Sequence, residues 1–322
     1  MDSIPRRSLV LIQRGGRLAA VPADNIPDAH APTGTELCCP PVPEELEPPK
    51  TERYIALCKA AFRPFTGGGE DFLLLHSAAD FRALRAAVLA ATDLCGKTLI
   101  AELVVCEDAR MEDGTDVTAA AGVLQRIGVS TVIVTAEEPE HLTDALERLA
   151  PYVRISVGVR LPARWLLEGI TLAGAELFRP VPGEDEAAFR AAVLNWKGYR
   201  AADRDHDDVI LAPDGRDAHF IAPTVDISDE IVCDHRLYEN LLEAEDEEAA
   251  MLKLVLEDEE GVQDLEDDLY MLSRPVCLCA ETPELLEKAL RAFYGLAVYD
   301  GTWDMEPEIL KYFERKYGLI CL

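Results

Sequence analysis

From about Thr51 onward, short apolar runs alternate with amphipathic segments that open on acids, at a spacing of roughly 25–30 residues. This rhythm constrains the fold more than any other feature of the chain. A strand, a helix and a further strand at that spacing build a parallel sheet or barrel. The predicted strands are 71–76 (DFLLLH), 98–105 (TLIAELVV), 131–136 (TVIVTA), 154–161 (RISVGVRL) and 175–181 (AELFRPV). Helices are predicted over 79–93, 117–127, 139–149 and 184–196, with Thr115 or Asp116 capping the second. Acids at their starts complement the helix dipole.

The rhythm resumes further on. Strands are predicted at 252–256, 276–279, 295–299 and 319–322, with helices at 281–294 and 307–317, the first of these opened by Thr282-Pro283. Ahead of the first array, SLVLIQRGGRLAAVP reads as a hairpin turning at Gly15-Gly16. Residues 22–50 carry eight prolines and read as an extended arm. The polar break AADRDHDD at 201–208 reads as a boundary. The expected organisation is therefore a hairpin and proline-rich arm (1–50), a βα barrel portion (51–200) and an acidic C-terminal α/β domain (209–322). The fold class is α/β: a partial or remodelled TIM-type barrel followed by a second βα array.

Charge narrows the partners. The chain of 322 residues has 31 bases and 60 acids, so its net charge is 31 − 60 = −29. Residues 201–322 hold 32 acids and 10 bases, or −22 of that total. Phosphate backbones and anionic membranes need clustered cations, so nucleic acid and membrane surfaces are not expected partners. A basic protein partner fits the charge better. No apolar run approaches the roughly 20 residues of a membrane span. The opening MDSIPRRSLVLIQRGG has no signal-peptide pattern, so a cytoplasmic location is expected. The nine cysteines are odd in number and irregularly spaced, with no CxxC pair, and are expected to be reduced. Cys277 and Cys279 share one face of a predicted strand and read as buried thiols.

Ligands in βα arrays sit at the C-terminal strand ends. Those ends carry His76, Cys106-Glu107-Asp108, Thr135-Ala136 and Arg179-Pro180-Val181-Pro182. GxGxxG, P-loop, HExxH and GxSxG motifs are all absent from the sequence. His76, Cys106, Glu107 and Asp108 are the candidate catalytic residues. His76, Thr135, Ala136 and Arg179 are the candidate ligand-binding residues.

Residues from about Thr51 to Tyr199 resemble the second half of the homocysteine S-methyltransferase family, the homocysteine-binding barrel found at the start of cobalamin-dependent methionine synthase. Four segments carry the likeness in order: GGEDFLLLHSAADFRALRAAVLAA, GTDVTAAAGVLQRIGVSTVIVTAEEPEHLTDALERLAPY, RISVGVRLP and GAELFRPVPGEDEAAFRAAV. The resemblance implies a barrel that binds Zn²⁺ through three cysteine thiolates, where the metal activates the homocysteine sulfur. Here Ala136 stands at the single cysteine, and Val181-Pro182 stands at the adjacent pair. His76 stands at the glutamate that engages the amino acid. Three lost thiolates remove a metal affinity of order 10 kcal/mol, so the chain is expected to hold no stoichiometric zinc and no other cofactor. The resemblance then implies a degenerate member that acts as a binding or partner protein, with a methyltransferase or corrinoid protein as partner. Two enzymatic readings stay open. One is new chemistry from His76, Cys106, Glu107 and Asp108. The other is a zinc site rebuilt with Cys106 or Cys38-Cys39. A partial barrel would also expose sheet edges, from which self-association is expected.

Overall fold

The computed structural model describes residues 9–14, 17–23, 31–44, 46, 50–77, 80–203, 209–245 and 248–322. The predicted turn at Gly15-Gly16, residue 79 of the first predicted helix and positions 204–208 of the acidic break lie outside these residues.

Eight strands close a barrel. In chain order they begin with β1 (Leu9–Arg14), β2 (Arg17–Pro22), β3 (Thr33–Cys38) and β4 (Phe72–His76). They continue with β5 (Thr98–Val105), β6 (Val129–Ala136) and β7 (Ser156–Leu161). After the two-residue β8 (Leu172–Ala173), which lies outside the barrel, β9 (Ala175–Pro180) is the last stave. The staves β3 to β7 and β9 run parallel, and β9 pairs parallel with β1. Only β2 runs antiparallel, joined to β1 on one side and β3 on the other.

This closure bears out the remodelled form of the expected barrel rather than the partial one, and the tail forms the expected second βα array. The N-terminal hairpin supplies two staves, and the proline-rich stretch supplies a third. TGTELC is short, carries a glycine and is bracketed by prolines, so its local composition reads as linker. Its five-residue parallel register with β4 makes it a stave. Closure also removes the open barrel edges from which self-association was expected.

The helices that cover the barrel are α1 (Lys50–Thr66), α2 (Phe81–Leu94), α3 (Val117–Arg126), α4 (Pro139–Leu149), the short α5 (Ala163–Leu167) and α6 (Glu186–Asn195). Their starts follow simple chemistry. Asp80 caps α2 by accepting from Ala83 N, and Asp116 caps α3 by accepting from Thr118 N and Ala119 N.

Two short pairs follow. β10 (Tyr199–Arg200) lies beside β8, and β11 (Ile210–Leu211) pairs with β12 (Phe220–Ile221). The C-terminal array is a five-stranded parallel sheet in sequence order: β13 (Ile227–Val232), β14 (Met251–Leu256), β15 (Val276–Ala280), β16 (Val298–Tyr299) and β17 (Ile320–Cys321). Helices α7 (Leu237–Ala244), α8 (Glu259–Asp268), α9 (Pro283–Ala292) and α10 (Pro307–Tyr317) connect its strands. As expected, Thr282 caps α9 with Pro283 next to it.

The array is pinned to the barrel. Glu266 of α8 accepts hydrogen bonds from the Lys50 and Thr51 backbone N–H groups at the start of α1, at 2.7 and 2.6 Å. Arg85 of α2 donates to the Leu290 and Arg291 carbonyls at the end of α9, at 2.8 and 3.0 Å. Among the described residues, no helix is long and apolar enough to cross a membrane.

Candidate functional site

The barrel interior is built in layers, because alternate residues of each stave point inward. The lower interior is apolar, from Leu11, Leu18, Phe72, Leu74, Ile100, Ile133 and Leu177. Two glycines make room for this plug. A Cβ on Gly34 would stand 2.2 Å from the Phe72 ring, and one on Gly158 would stand 3.0 Å from Leu177 Cβ. Two residues further along the same inward faces come Glu36, His76, Glu102, Thr135, Arg160 and Arg179. One residue from each of six parallel staves therefore forms a polar layer at the C-terminal mouth.

This layer is an ion lattice. Arg179 donates from Nη2 to Glu36 Oε1 at 2.6 Å and from Nη1 to Glu102 Oε2. Arg160 donates to the other Glu102 oxygen at 2.7 Å. His76 Nε2 lies 3.4 Å from Glu36 Oε1. The Thr135 hydroxyl donates to the Arg160 carbonyl at 3.2 Å. Glu102 is the most enclosed member, with a side chain 2% exposed. Burial works to raise the pKa of Glu36. The hydrogen bond and charge of Arg179, helped by His76 and Arg160, outweigh burial and hold the carboxyl below its ordinary value. Burial likewise works to lower the Arg179 pKa, and its two carboxylates override that and raise it.

The sign for stability follows from the lowered Glu36 value. The group stabilises the fold fully above the ordinary carboxylate value of 4.5, and that contribution fades as pH falls below it. The stability difference between the native chain and Glu36→Gln should therefore shrink as pH falls below about 4.5. Urea unfolding across an acid series measures this. A difference that stays constant through that range would show that Glu36 is not held by the lattice.

The other predicted residues are placed differently. Ala136 shares the outward face of β6 with Val132 and Val134 and packs against the outer core. Cys106, Glu107 and Asp108 are exposed on the loop after β5, which Cys106 N closes by donating to Arg110 O at 2.7 Å. Asp108 and Ala109 hold left-handed backbone there, with φ of 55° and 53°. His76 and Arg179 thus meet in one layer, while Cys106, Glu107 and Asp108 sit on the rim.

Glu36, Glu102 and Arg160 were not singled out from sequence. One signal was present. Each is a single charge inside a strand whose neighbours are apolar or small, and the three strands carry complementary signs.

The lattice does not fit a thiolate-bound zinc. The polar layer contains no thiol, and its carboxylates are already engaged by guanidinium groups. Cys38, on the inward face beyond Glu36, is exposed. Among the described residues, no group of three His, Cys, Asp or Glu ligand atoms converges at the mouth.

No protein-family model matches the sequence, and no curated protein matches it. Solved structures similar to it include the homocysteine methyltransferase MmuM from Escherichia coli. Its apo form aligns with a TM-score of 0.41 at 15% identity, over 50% of this chain and 61% of that one. Its oxidized form aligns with a TM-score of 0.38 at 18% identity, over 44% of this chain and 52% of that one. The chain thus spans between about half and three fifths of the length of these structures.

Proposed function

We propose that this chain is a homocysteine S-methyltransferase-like scaffold that works without zinc-thiolate catalysis, as a binding or partner protein in cytoplasmic methionine and one-carbon metabolism. The ion lattice carries this reading. Glu36, Glu102, Arg160 and Arg179 neutralise one another where a substrate of such a barrel would sit. A ligand that used any of them would first have to break a buried ion pair, which costs several kcal/mol. The strand-end positions that would need thiolates hold Ala136, Val181 and Pro182. The acidic surface favours a partner with a basic face, and the resemblance points to a methyltransferase or a corrinoid protein.

Homocysteine provides the direct test. Its ammonium would meet His76 in place of a carboxylate, and an imidazole carries no negative charge with which to pair it. Isothermal titration is expected to give a dissociation constant weaker than ~1 mM. A micromolar constant would overturn the reading.

A second reading rests on the His76–Glu36 contact at the open mouth, where Val104 above Glu102 is 43% exposed. That pair would act as a general base, with Cys106, Glu107 and Asp108 on the rim contacting the substrate. Turnover that is lost in His76→Gln with folding intact would favour it.

A further inference from the structure

The C-terminal sheet brings together a second constellation that the barrel does not involve. Lys253 of β14 and Cys277 of β15 are register partners, so their side chains share a face with Cys279, two residues further on. Cys277 and Cys279 are both fully buried. Asp300 follows β16 at the carboxyl edge of the sheet, the edge where parallel sheets bind ligands. Cys277 Sγ lies 3.8 Å from Cys279 Sγ, and Cys279 Sγ lies 3.5 Å from Asp300 Oδ1.

These separations match a tetrahedral metal site. With Zn–S near 2.3 Å and Zn–O near 2.0 Å, tetrahedral angles place two sulfurs about 3.8 Å apart and a sulfur and an oxygen about 3.5 Å apart. A disulfide fits less well. Residues two apart on a strand have Cα atoms about 6.6 Å apart, near the upper limit for that bond, and their Cβ vectors run side by side rather than converging.

We propose that Cys277, Cys279 and Asp300 form a zinc site, with the fourth position left to water. Two thiolates and one carboxylate leave a bound Zn²⁺ with one excess negative charge, which Lys253 offsets while it also pairs with the exposed Glu230 carboxylate at 3.2 Å. Its Nζ lies 3.0 Å from Asp300 Oδ2 and donates to Thr302 Oγ1 at 2.8 Å. That contact occupies one carboxylate oxygen and orients the other toward the sulfurs, as an outer partner of a metal ligand does. The Thr302 N–H also donates to Asp300 Oδ1 at 2.9 Å, fixing the carboxylate further. A hard oxygen beside two thiolates suits Zn²⁺ better than a soft monovalent cation such as Cu⁺. This proposal is independent of the barrel and departs from the sequence-based expectation of a chain without zinc.

The test uses the full chain stripped with a chelator. Titration with Zn²⁺ against a chromogenic competitor should show one site per chain with a dissociation constant below about 1 μM. Co²⁺ should give the intense near-ultraviolet charge-transfer absorption of thiolate ligation. Cys277→Ser/Cys279→Ser should weaken Zn²⁺ binding at least 100-fold and abolish that absorption, and Asp300→Asn should weaken binding at least 10-fold. The idea is overturned if the full chain shows no saturable site, if the double variant binds as the native chain does, or if Co²⁺ binds without the thiolate absorption. Should the double variant fail to fold, the Co²⁺ spectrum of the native chain and the Asp300→Asn affinity decide. Failure here leaves the barrel reading intact, because homocysteine titration tests that separately.

Discussion

Glu102→Leu is expected to lower stability by about 3–5 kcal/mol, the largest effect of any single change in the barrel. The carboxylate is nearly inaccessible and holds both Arg160 and Arg179. Leucine would fill much of its volume but leave two guanidinium groups facing an apolar plug. Arg179 keeps only Glu36, and Arg160 loses the one carboxylate within salt-bridge distance among the described residues. The penalty is that of uncompensated buried charge rather than of lost contacts. A double variant separates the two. Glu102→Leu combined with Arg179→Met removes a charge of each sign, and it should cost less than the sum of the two single changes by at least 1 kcal/mol. Urea unfolding of the four proteins closes the cycle. If Glu102→Leu cost less than 1 kcal/mol, the lattice could not be called structural, and its polar layer would be free to serve a ligand.

Arg85→Met carries the second largest expected effect, and it acts between the two arrays. Arg85 is 2% exposed on barrel helix α2, and its guanidinium closes the carbonyl end of α9. Burial pulls its pKa down to about 10, so it stays charged at neutral pH. Two charge-assisted hydrogen bonds at the negative end of a helix dipole are worth about 3 kcal/mol together. Methionine keeps the apolar stem and leaves both carbonyls without that donor. Calorimetry should show the loss as a lower and broader transition, with the C-terminal sheet and the barrel beginning to unfold apart. A single transition at the native temperature would show that the other contacts, such as Glu266 with the start of α1, couple the arrays without Arg85.

The polar layer at the barrel mouth is only half legible in the sequence. His76 and Arg179 stood out because they end predicted strands. Glu36 escaped notice because β3 itself was hidden among prolines. Glu102 and Arg160 were visible as lone charges in apolar strands, yet nothing local says what they meet. Their partners lie far away in sequence: Glu102 meets Arg160 across 58 residues and Arg179 across 77, and Arg179 meets Glu36 across 143. The same holds for the dithiol. Two cysteines on one strand face follow from the period of two, but the approach of Asp300 depends on how β16 lies beside β15.

The sequence by itself determined the βα rhythm, the strands β4 to β7, β9 and β14 to β17 to within a few residues, and the caps of α3 and α9. These are local matters. Side-chain period, cap chemistry and turn residues act over a few positions and can be read along the chain. Only the tertiary structure decided that a hairpin and a glycine-bearing stretch close the barrel, that four charges cancel at its mouth, and that two thiols meet a carboxylate in the second sheet. Each of these depends on the pairing of distant strands. That pairing is set by which register buries the apolar plug and leaves no buried charge alone, an energy that belongs to the assembled barrel and to no segment of it.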